Sequence, residues 1–303
     1  MKGLVTKSTG SWYSVKAEDG KDYECTIRGK FRLEDKRITN PVAVGDNVVI
    51  SNEYPYVINQ ISDRKNYIIR QSVKKRGQGH ILATNLDQAI LIATLSSPRT
   101  SYGFIDRFLI SAEAFRIPQL LIINKSDLIG EKEQVLLARY LEIYQNIGVK
   151  CLITSALTGE GIEEFRAELE GKTSLVSGHS GVGKSTLLNM LDIDINQKTD
   201  EISTFSDKGK HTTTFAEMFF LSENTKVIDT PGIKELGLLE MEPWEIGDYF
   251  PEIRELRNDC KFNNCLHLNE PACAVKKAVS EKEIAVERYR SYISMVENED
   301  NRR

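Results

Sequence analysis

Residues 173–188, TSLVSGHSGVGKSTLL, constrain the fold of this chain more than any other stretch. A strand-like apolar run leads into the pattern G-x-x-x-x-G-K-S, and leucines then begin a helical pattern. Glycines allow a tight loop whose backbone N–H groups converge on phosphate, and the following helix N-terminus adds partial positive charge. The alternative is a glycine-rich turn that only joins a strand to a helix. The spacing favours a phosphate-binding loop inside an α/β domain.

The loop predicts specific roles for its last residues. Lys184 would contact the β- and γ-phosphates and assist catalysis, and the Ser185 hydroxyl would ligate Mg²⁺. The His179 ring, like that of His80, is expected to pack or to lie at the surface. The candidate nucleotide-binding residues here are Gly178, His179, Ser180, Gly181, Val182, Gly183, Lys184, Ser185 and Thr186.

Length and composition indicate a multi-domain globular protein. The 303 residues suffice for two or three domains, 40% are hydrophobic and 28% charged, and no apolar run approaches the roughly 18 residues of a membrane span. The N-terminus, MKGLVTKSTG, lacks the apolar region of a secretory signal, so a cytoplasmic protein without membrane attachment is expected. The net charge of −4 argues against a surface that coats nucleic acid, although residues 1–80 carry 15 Lys and Arg against 9 Asp and Glu.

The N-terminal segment, residues 1–70, has the pattern of a small β-barrel. Short β-rich runs separated by turn residues predict strands at 3–6, 12–17, 23–28, 47–51 and 56–61. About five strands fit an oligonucleotide-binding (OB) barrel. A basic candidate face for RNA comprises Arg28, Lys30, Phe31, Arg32, Lys36 and Arg37, and the alternative is a merely solvated surface. Residues 71–85, with Lys74, Lys75 and Arg76, are interpreted as a basic connection.

The central segment, residues 71–236, alternates strand and helix patterns. This alternation predicts a mainly parallel α/β sheet with helices on both faces and ligands at the carboxyl ends of its strands. Besides the phosphate-loop strand, the predicted strands are 89–94, 119–123, 150–153, 217–221 and 226–228, and the helices are 105–115, 131–145 and 162–169.

Loops after these strands predict recognition of guanine. Asn124, Lys125 and Asp127 follow one strand, and an Asp carboxylate accepts from the N1–H and exocyclic amine of guanine, a donor pair that adenine lacks. The Asn would support the other edge of the base. A polar turn capping a helix is the alternative for the tetrapeptide alone. Ser155 and Ala156 follow the next strand, where a backbone N–H would meet the guanine O6.

Two further loops suit Mg²⁺ and the γ-phosphate. Asp229 fits an outer-shell Mg²⁺ contact and the Gly232 N–H fits the γ-phosphate. In GKHTTT at 209–214, Thr213 is the candidate to complete the Mg²⁺ shell, with Thr212 and Thr214 as alternatives. These are the elements of a GTPase in an unusual order, because the base-recognition loops precede the phosphate loop. A circular permutation accounts for this order.

The C-terminal segment, residues 237–303, contains Cys260, Cys265, His267 and Cys273 in the spacing C-x4-C-x-H-x5-C. Three thiolates and one imidazole form a closed tetrahedral set, which predicts one structural zinc ion. Buried free cysteines are the alternative. Helical patterns flank the cluster at 244–257 and 281–295.

Together these motifs resemble the RsgA (YjeQ/YloQ) family of circularly permuted GTPases, which depend on the small ribosomal subunit. The motifs are NKSD at 124–127, GHSGVGKS at 178–185, GKHTTT, DTPG at 229–232 and CKFNNCLHLNEPACAV at 260–275. The resemblance implies an OB barrel (1–70), a permuted GTPase domain (71–236), a zinc-binding helical domain (237–303), and late maturation of the small subunit through rRNA contacts. Ile233 stands where the family more often has Phe.

The expected activity is hydrolysis of GTP to GDP and phosphate, stimulated by the small (30S) subunit, by a monomer that uses GTP/GDP with Mg²⁺. Ile233 cannot orient the attacking water as Gln does in many GTPases, so His211 is the candidate for that role. An alternative is a nucleotide-gated rRNA-binding module whose hydrolysis is incidental. Asp127 disfavours an ATP-dependent kinase.

Overall fold

The computed structural model describes residues 1–28, 38–71, 78–191, 216–230 and 241–298. Several sequence-based candidates lie outside these residues. They are Lys30, Phe31, Arg32, Lys36 and Arg37 of the basic face, Lys74 to Arg76, the GKHTTT motif with His211 and Thr213, and Gly232 with Ile233.

The N-terminal barrel has the five predicted strands, which are β1 (Lys2–Ser8), β2 (Tyr13–Ala17), β3 (Asp22–Ile27), β4 (Asn47–Ile50) and β5 (Val57–Ile61). They pair in the order β1-β2-β3-β5-β4, and β4 returns to β1, which closes the barrel. Alternate residues point inward because side chains alternate along a strand. The interior contains Val5, Tyr13, Val15, Cys25, Val48, Ile50 and Ile58.

The stretch interpreted as a basic connection is in part a strand, so that interpretation is wrong for residues 79–84. Strand β6 (Tyr67–Gln71) pairs with β7 (Gly79–Thr84) in an antiparallel two-stranded sheet. Ile68 and Leu82 are buried in the core of the central sheet. The chain before residue 71 therefore already contributes to that core, and the exact domain boundaries stay a prediction.

The central sheet contains six strands in the order β10-β9-β8-β11-β13-β12. All neighbours are parallel except the antiparallel pair β12 and β13. Strand β8 is buried along its whole length, as expected for a central parallel strand with the apolar run AILIA. The strands are β8 (Gln88–Ala93), β9 (Gln119–Ile123), β10 (Lys150–Ile153), β11 (Thr173–Gly178), β12 (Glu217–Phe220) and β13 (Lys226–Asp229).

Helices cover both faces of this sheet, as predicted. On one face lie α1 (Tyr102–Glu113) and α2 (Glu131–Asn146), which bury Phe104 and Tyr144. On the other lie α3 (Ile162–Leu169) and α4 (Lys184–Leu191). Helix α1 begins three residues before the predicted start because the Ser101 hydroxyl accepts a hydrogen bond from the Phe104 N–H and caps it.

The C-terminal unit contains α5 (Pro251–Leu256), α6 (Ala274–Ser280) and α7 (Val286–Val296) around its own core. The continuous helix predicted at 244–257 is wrong, because a short 3-10 helix, Ile246–Tyr249, is separated from α5 by Phe250 in an extended conformation. Pro251 disfavours helical geometry in the residue before it. The second predicted helix begins late, at Val286, because the residue before it, Ala285, is extended with a ψ of 131°.

Both outer units are joined to the central sheet. Strand β1 pairs with β12 through Lys7 and Glu217, so barrel and central strands form one eleven-stranded sheet. Helix α7 packs on α1. The predicted fold class, an N-terminal barrel, a central α/β domain with permuted motif order and a C-terminal helical unit, is confirmed. Among the residues described, no helix has the length and apolar character needed to cross a bilayer.

Candidate functional site

The four loops singled out in the sequence lie at one edge of the central sheet. Strands β9, β10, β11 and β13 are parallel within a connected set, so their carboxyl ends share that edge. Asn124 follows β9, Thr154 follows β10, and the phosphate loop follows β11. Asp229 is the last residue of β13. The permuted order of the motifs therefore leaves them adjacent in space.

The phosphate loop has the backbone that its glycines predict. Gly181 and Gly183 have φ values of 86° and 88°, in the left-handed region that favours glycine. A Cβ on Gly183 would lie 2.5 Å from the Nδ2 atom of Asn124, so a larger residue has no room there. Val182 is buried among the side chains of α3 and α4 and anchors the loop.

Asn124 links the loop after β9 to the phosphate loop. Its Nδ2 donates to the carbonyl oxygen of Val182 at 2.8 Å, and its Oδ1 accepts from the Thr154 hydroxyl at 3.1 Å. The side chain is buried, and these contacts occupy both ends of its amide. Sequence reasoning assigned Asn124 to the base and missed Thr154, whose only signal was its position directly before Ser155.

Lys184 and Asp229 meet at the start of α4. The Lys184 Nζ forms an ion pair with the Asp229 Oδ1, and both side chains are about nine-tenths buried. The neighbouring Thr230 hydroxyl donates to the carbonyl oxygen of Val176 and holds the end of β13 against β11. A buried ammonium beside a carboxylate suits a site that holds phosphate and a divalent cation together.

Asp127 is held by Ser155 from the neighbouring loop. The Ser155 hydroxyl donates to the Asp127 Oδ1 and accepts from the N–H groups of Leu157 and Thr158. Ser155 is fully buried, whereas Asp127 is exposed to solvent. Lys125 adopts a left-handed conformation, with φ of 65°, and its Nζ donates to the Ser97 carbonyl oxygen at 2.6 Å. One Asp127 oxygen is thus fixed while the carboxylate remains accessible.

Four further candidate nucleotide-binding residues are at least partly exposed to solvent. Ser180, Ser185 and Thr186 are exposed, and Ala156 is half-buried. Ser185 lies in the first turn of α4. The His179 ring stacks on Phe104 of α1, with ring centroids 3.7 Å apart. Its ring is therefore a packing element.

The cysteine and histidine side chains of the C-terminal unit converge on one point. Their ligand atoms, from Cys260, Cys265, His267 and Cys273, all lie within 4.8 Å of one another. The His267 Nδ1 is 3.5 Å from the Cys260 Sγ and 3.4 Å from the Cys273 Sγ, and the two sulfurs are 3.9 Å apart. Zinc–sulfur bonds of about 2.3 Å place tetrahedral sulfurs about 3.8 Å apart, so the donor set fits zinc.

The surroundings of this cluster also fit a metal site. Burial lowers the pKa of His267, which favours the neutral imidazole that binds metal. Burial raises the pKa of Cys265 to about 12, so thiolate at neutral pH requires a cation beside it. The hydroxyls of Tyr289 and Tyr292 donate to the carbonyl oxygens of His267 and Leu266. These bonds hold the loop that carries the cluster residues on α7.

Comparison with family models matches nearly the whole of the first two units. A model described as the RsgA GTPase matches residues 61–239, and one described as the RsgA N-terminal domain matches residues 2–55. The first alone spans more than half of the chain.

Curated relatives match over nearly their full length. The protein named small ribosomal subunit biogenesis GTPase RsgA from Bacteroides fragilis is 53% identical over 302 residues, covering 99% of this chain and 97% of its own. The protein of the same name from Cytophaga hutchinsonii is 52% identical over 310 residues and is covered completely, as is this chain.

Solved structures agree with these relatives. YjeQ from Thermotoga maritima superposes with a TM-score of 0.76 at 35% identity, covering 100% of this chain and 99% of its own. YloQ, described as a circularly permuted GTPase, gives a TM-score of 0.71 at 30% identity, covering 100% and 96%. With the phosphate loop, Asn124, Asp127 and Asp229 at one edge of a permuted sheet, this chain belongs to the RsgA GTPase family and is a GTP-hydrolysing enzyme.

Proposed function

We propose that this enzyme hydrolyses GTP in the biogenesis of the small ribosomal subunit. The observation that carries the proposal is full-length identity of about half to relatives named for that process. A GTPase of this family uses GTP and GDP with Mg²⁺. The protein would act in the cytoplasm, as a monomer without membrane attachment, on the 30S particle and its rRNA.

The site supports a division of roles among the described residues. The phosphate loop and Lys184 would bind the phosphates, Ser185 and Asp229 would serve Mg²⁺, and Asp127 with Ser155 and Ala156 would bind the guanine. Mg²⁺, when bound, neutralises charge that develops on the phosphate oxygens. Because the Asn124 amide is engaged with protein, we assign it to holding the loops together. His211, Thr213 and Gly232 keep the catalytic, Mg²⁺ and γ-phosphate roles predicted from the sequence.

His211 is testable as the residue that orients the attacking water. A His211→Ala variant should bind GTP normally and lose hydrolysis that saturating small subunits stimulate. Wild-type hydrolysis by this variant on saturating subunits would refute the assignment.

The four ligand residues of the C-terminal unit would hold one structural zinc ion. The set is closed, because three thiolates and one imidazole complete a tetrahedron without a position for substrate. The ion would thus supply folding energy and no chemistry.

The barrel and the zinc-binding unit would contact rRNA. GTP hydrolysis would then determine when the protein is released from the small subunit. The competing function is an rRNA-binding module that GTP switches on and whose hydrolysis is incidental. Single-turnover hydrolysis, measured beside release of the protein from purified small subunits, separates the two. If hydrolysis times release, the protein leaves the subunit at the rate of GTP cleavage. If hydrolysis is incidental, exchanging a non-hydrolysable GTP analogue for GDP releases the protein as fast as GTP cleavage does.

Replacing Asp127 with asparagine tests the guanine assignment. Ser155 donates to the Asp127 Oδ1, so the amide introduced there would keep its oxygen on Ser155 and turn its NH₂ toward the base. Xanthine has a carbonyl where guanine has its amine, so we expect Asp127→Asn to lose about 1–3 kcal/mol of GTP affinity and to gain affinity for XTP. Dissociation constants for both nucleotides measure the change.

The matched control is Glu131→Gln, an exposed acid at the start of α2. It should leave both affinities unchanged. If Asp127→Asn kept the GTP preference of the wild type, the base would be recognised elsewhere and a kinase-like use of the phosphate loop would have to be reconsidered.

A further inference from the structure

The loop after β10 folds into a compact turn that ends on Glu160. The Gly159 N–H donates to the carbonyl oxygen of Ser155 at 2.9 Å, and the Ser155 N–H donates to that of Glu160 at 3.0 Å. Gly161 closes the turn with a φ of 69°, and a Cβ there would collide with the carbonyl oxygen of Ile153. The backbone of Glu160 is therefore fixed against the end of the strand.

From this fixed position the Glu160 side chain reaches the loop after β9. Its Oε2 accepts a hydrogen bond from the Ser126 hydroxyl at 2.5 Å. Ser126 also donates its backbone N–H to the carbonyl oxygen of Thr154 at 3.1 Å. Since Ser155 contacts Asp127 directly, two side-chain links join the loops, one at Asp127 and one at the residue before it.

Asp127 needs such support because its own element is short. It lies in a three-residue 3-10 helix, Ser126–Leu128, that follows the left-handed Lys125 and buries no residue. So short a turn has few internal hydrogen bonds to fix its orientation. Its carboxylate direction depends on contacts from the neighbouring loop, and small displacements of a recognising group weaken the interactions that it makes.

We propose that Glu160 is a specificity-determining positioning residue, whose carboxylate holds Ser126 and thereby orients the Asp127 carboxylate toward the donor edge of guanine. The inference rests on the proposed function, in which Asp127 binds the base. Glu160 acts through Ser126 and touches no nucleotide itself. The role requires a hydrogen-bond acceptor at the end of the side chain and no negative charge.

The test compares GDP with IDP, which lacks the exocyclic amine of guanine. Glu160→Ala should weaken GDP binding about three- to tenfold, as expected for the loss of one hydrogen bond. IDP should weaken less, so the preference for GDP over IDP shrinks. Glu160→Gln retains an acceptor for Ser126 and should restore most of the preference. Glu164→Ala, another exposed acid in the first turn of α3, is the matched control and should change neither affinity.

A double-mutant cycle with Ser126→Ala makes the test decisive. The proposal expects Glu160→Ala to have no further effect on GDP binding once the Ser126 hydroxyl is gone. It is overturned if GDP and IDP weaken equally, if Glu160→Gln behaves like Glu160→Ala, or if the effect persists without the hydroxyl. Asp127→Asn distinguishes a failure of the guanine assignment from a failure of the positioning role. If that variant leaves the GDP preference intact, the assignment of Asp127 to guanine within the proposed function fails, and if only the Glu160 variants do so, the positioning role fails.

Discussion

Cys273→Ser is expected to abolish stoichiometric zinc binding and to unfold the C-terminal unit. Between α5 and α6 the described chain has no regular element beyond the 3-10 helix Arg257–Asp259, so we expect the loop that carries the four cluster residues to depend on the proposed zinc ion. Structural zinc contributes about 10–16 kcal/mol of apparent binding free energy in zinc-finger peptides. This exceeds what a small apolar core supplies on its own.

Serine is the informative replacement because Cys273 also caps α6. Its Sγ accepts from the Lys276 N–H at 3.4 Å, and a serine hydroxyl preserves that cap while it removes the thiolate. Zinc per chain, measured by elemental analysis, and far-UV circular dichroism with and without chelator follow the two consequences. Cys151→Ser, outside the cluster, should retain zinc. A Cys273→Ser protein with full zinc content and an intact helical signal would show that the cluster is not the metal site.

Arg288→Met is expected to lower the free energy of unfolding by about 3–5 kcal/mol, because it leaves a buried carboxylate without its partner. Arg288 of α7 is almost fully buried and donates to Asp106 of α1 at 2.8 Å and to Glu252 of α5 at 2.7 Å. Burial raises the pKa of Asp106, although Arg288 opposes the shift. Asp106→Asn introduced beside Arg288→Met should recover part of the loss.

Arg139→Met is the matched control for this prediction. Arg139 also reaches α7, through Glu287 at 2.7 Å, but about a third of its side chain is exposed. A pair of this kind contributes about 0–1 kcal/mol. Urea denaturation followed by circular dichroism compares the two variants. Equal losses would show that burial of the Arg288 network has no energetic weight.

Local sequence patterns are sufficient to predict most elements of this fold. Alternation between turn residues indicates the barrel strands, and unbroken apolar runs indicate β8 and β9. The hairpin of β6 and β7 was missed because HILAT is a short apolar run that follows glycines and a basic stretch, and its burial depends on the central core. Helix α5 was predicted too long because its periodicity continues through Pro251.

The candidate site could likewise be predicted only in part from the sequence. Motif spacing identified the loops, but which side chains join them depends on the distance between loops that are far apart in sequence. Asn124 contacting Val182, and Glu160 contacting Ser126, are products of that convergence. The spacing of the motifs cannot predict these two contacts, because the strand register and the geometries of both turns must first be known.

The pairing of β1 with β12 bears on how the chain folds as it is synthesised. The barrel closes on itself through β4, so it can form soon after residue 61 emerges. Residues 2–4 of β1 are then paired with β4, but the edge of the strand around Lys7 stays unpaired until β12 is made near the end of the nucleotide-binding unit. An exposed strand edge invites pairing with other chains. A fragment that stops before residue 217 should therefore aggregate more readily than the complete protein.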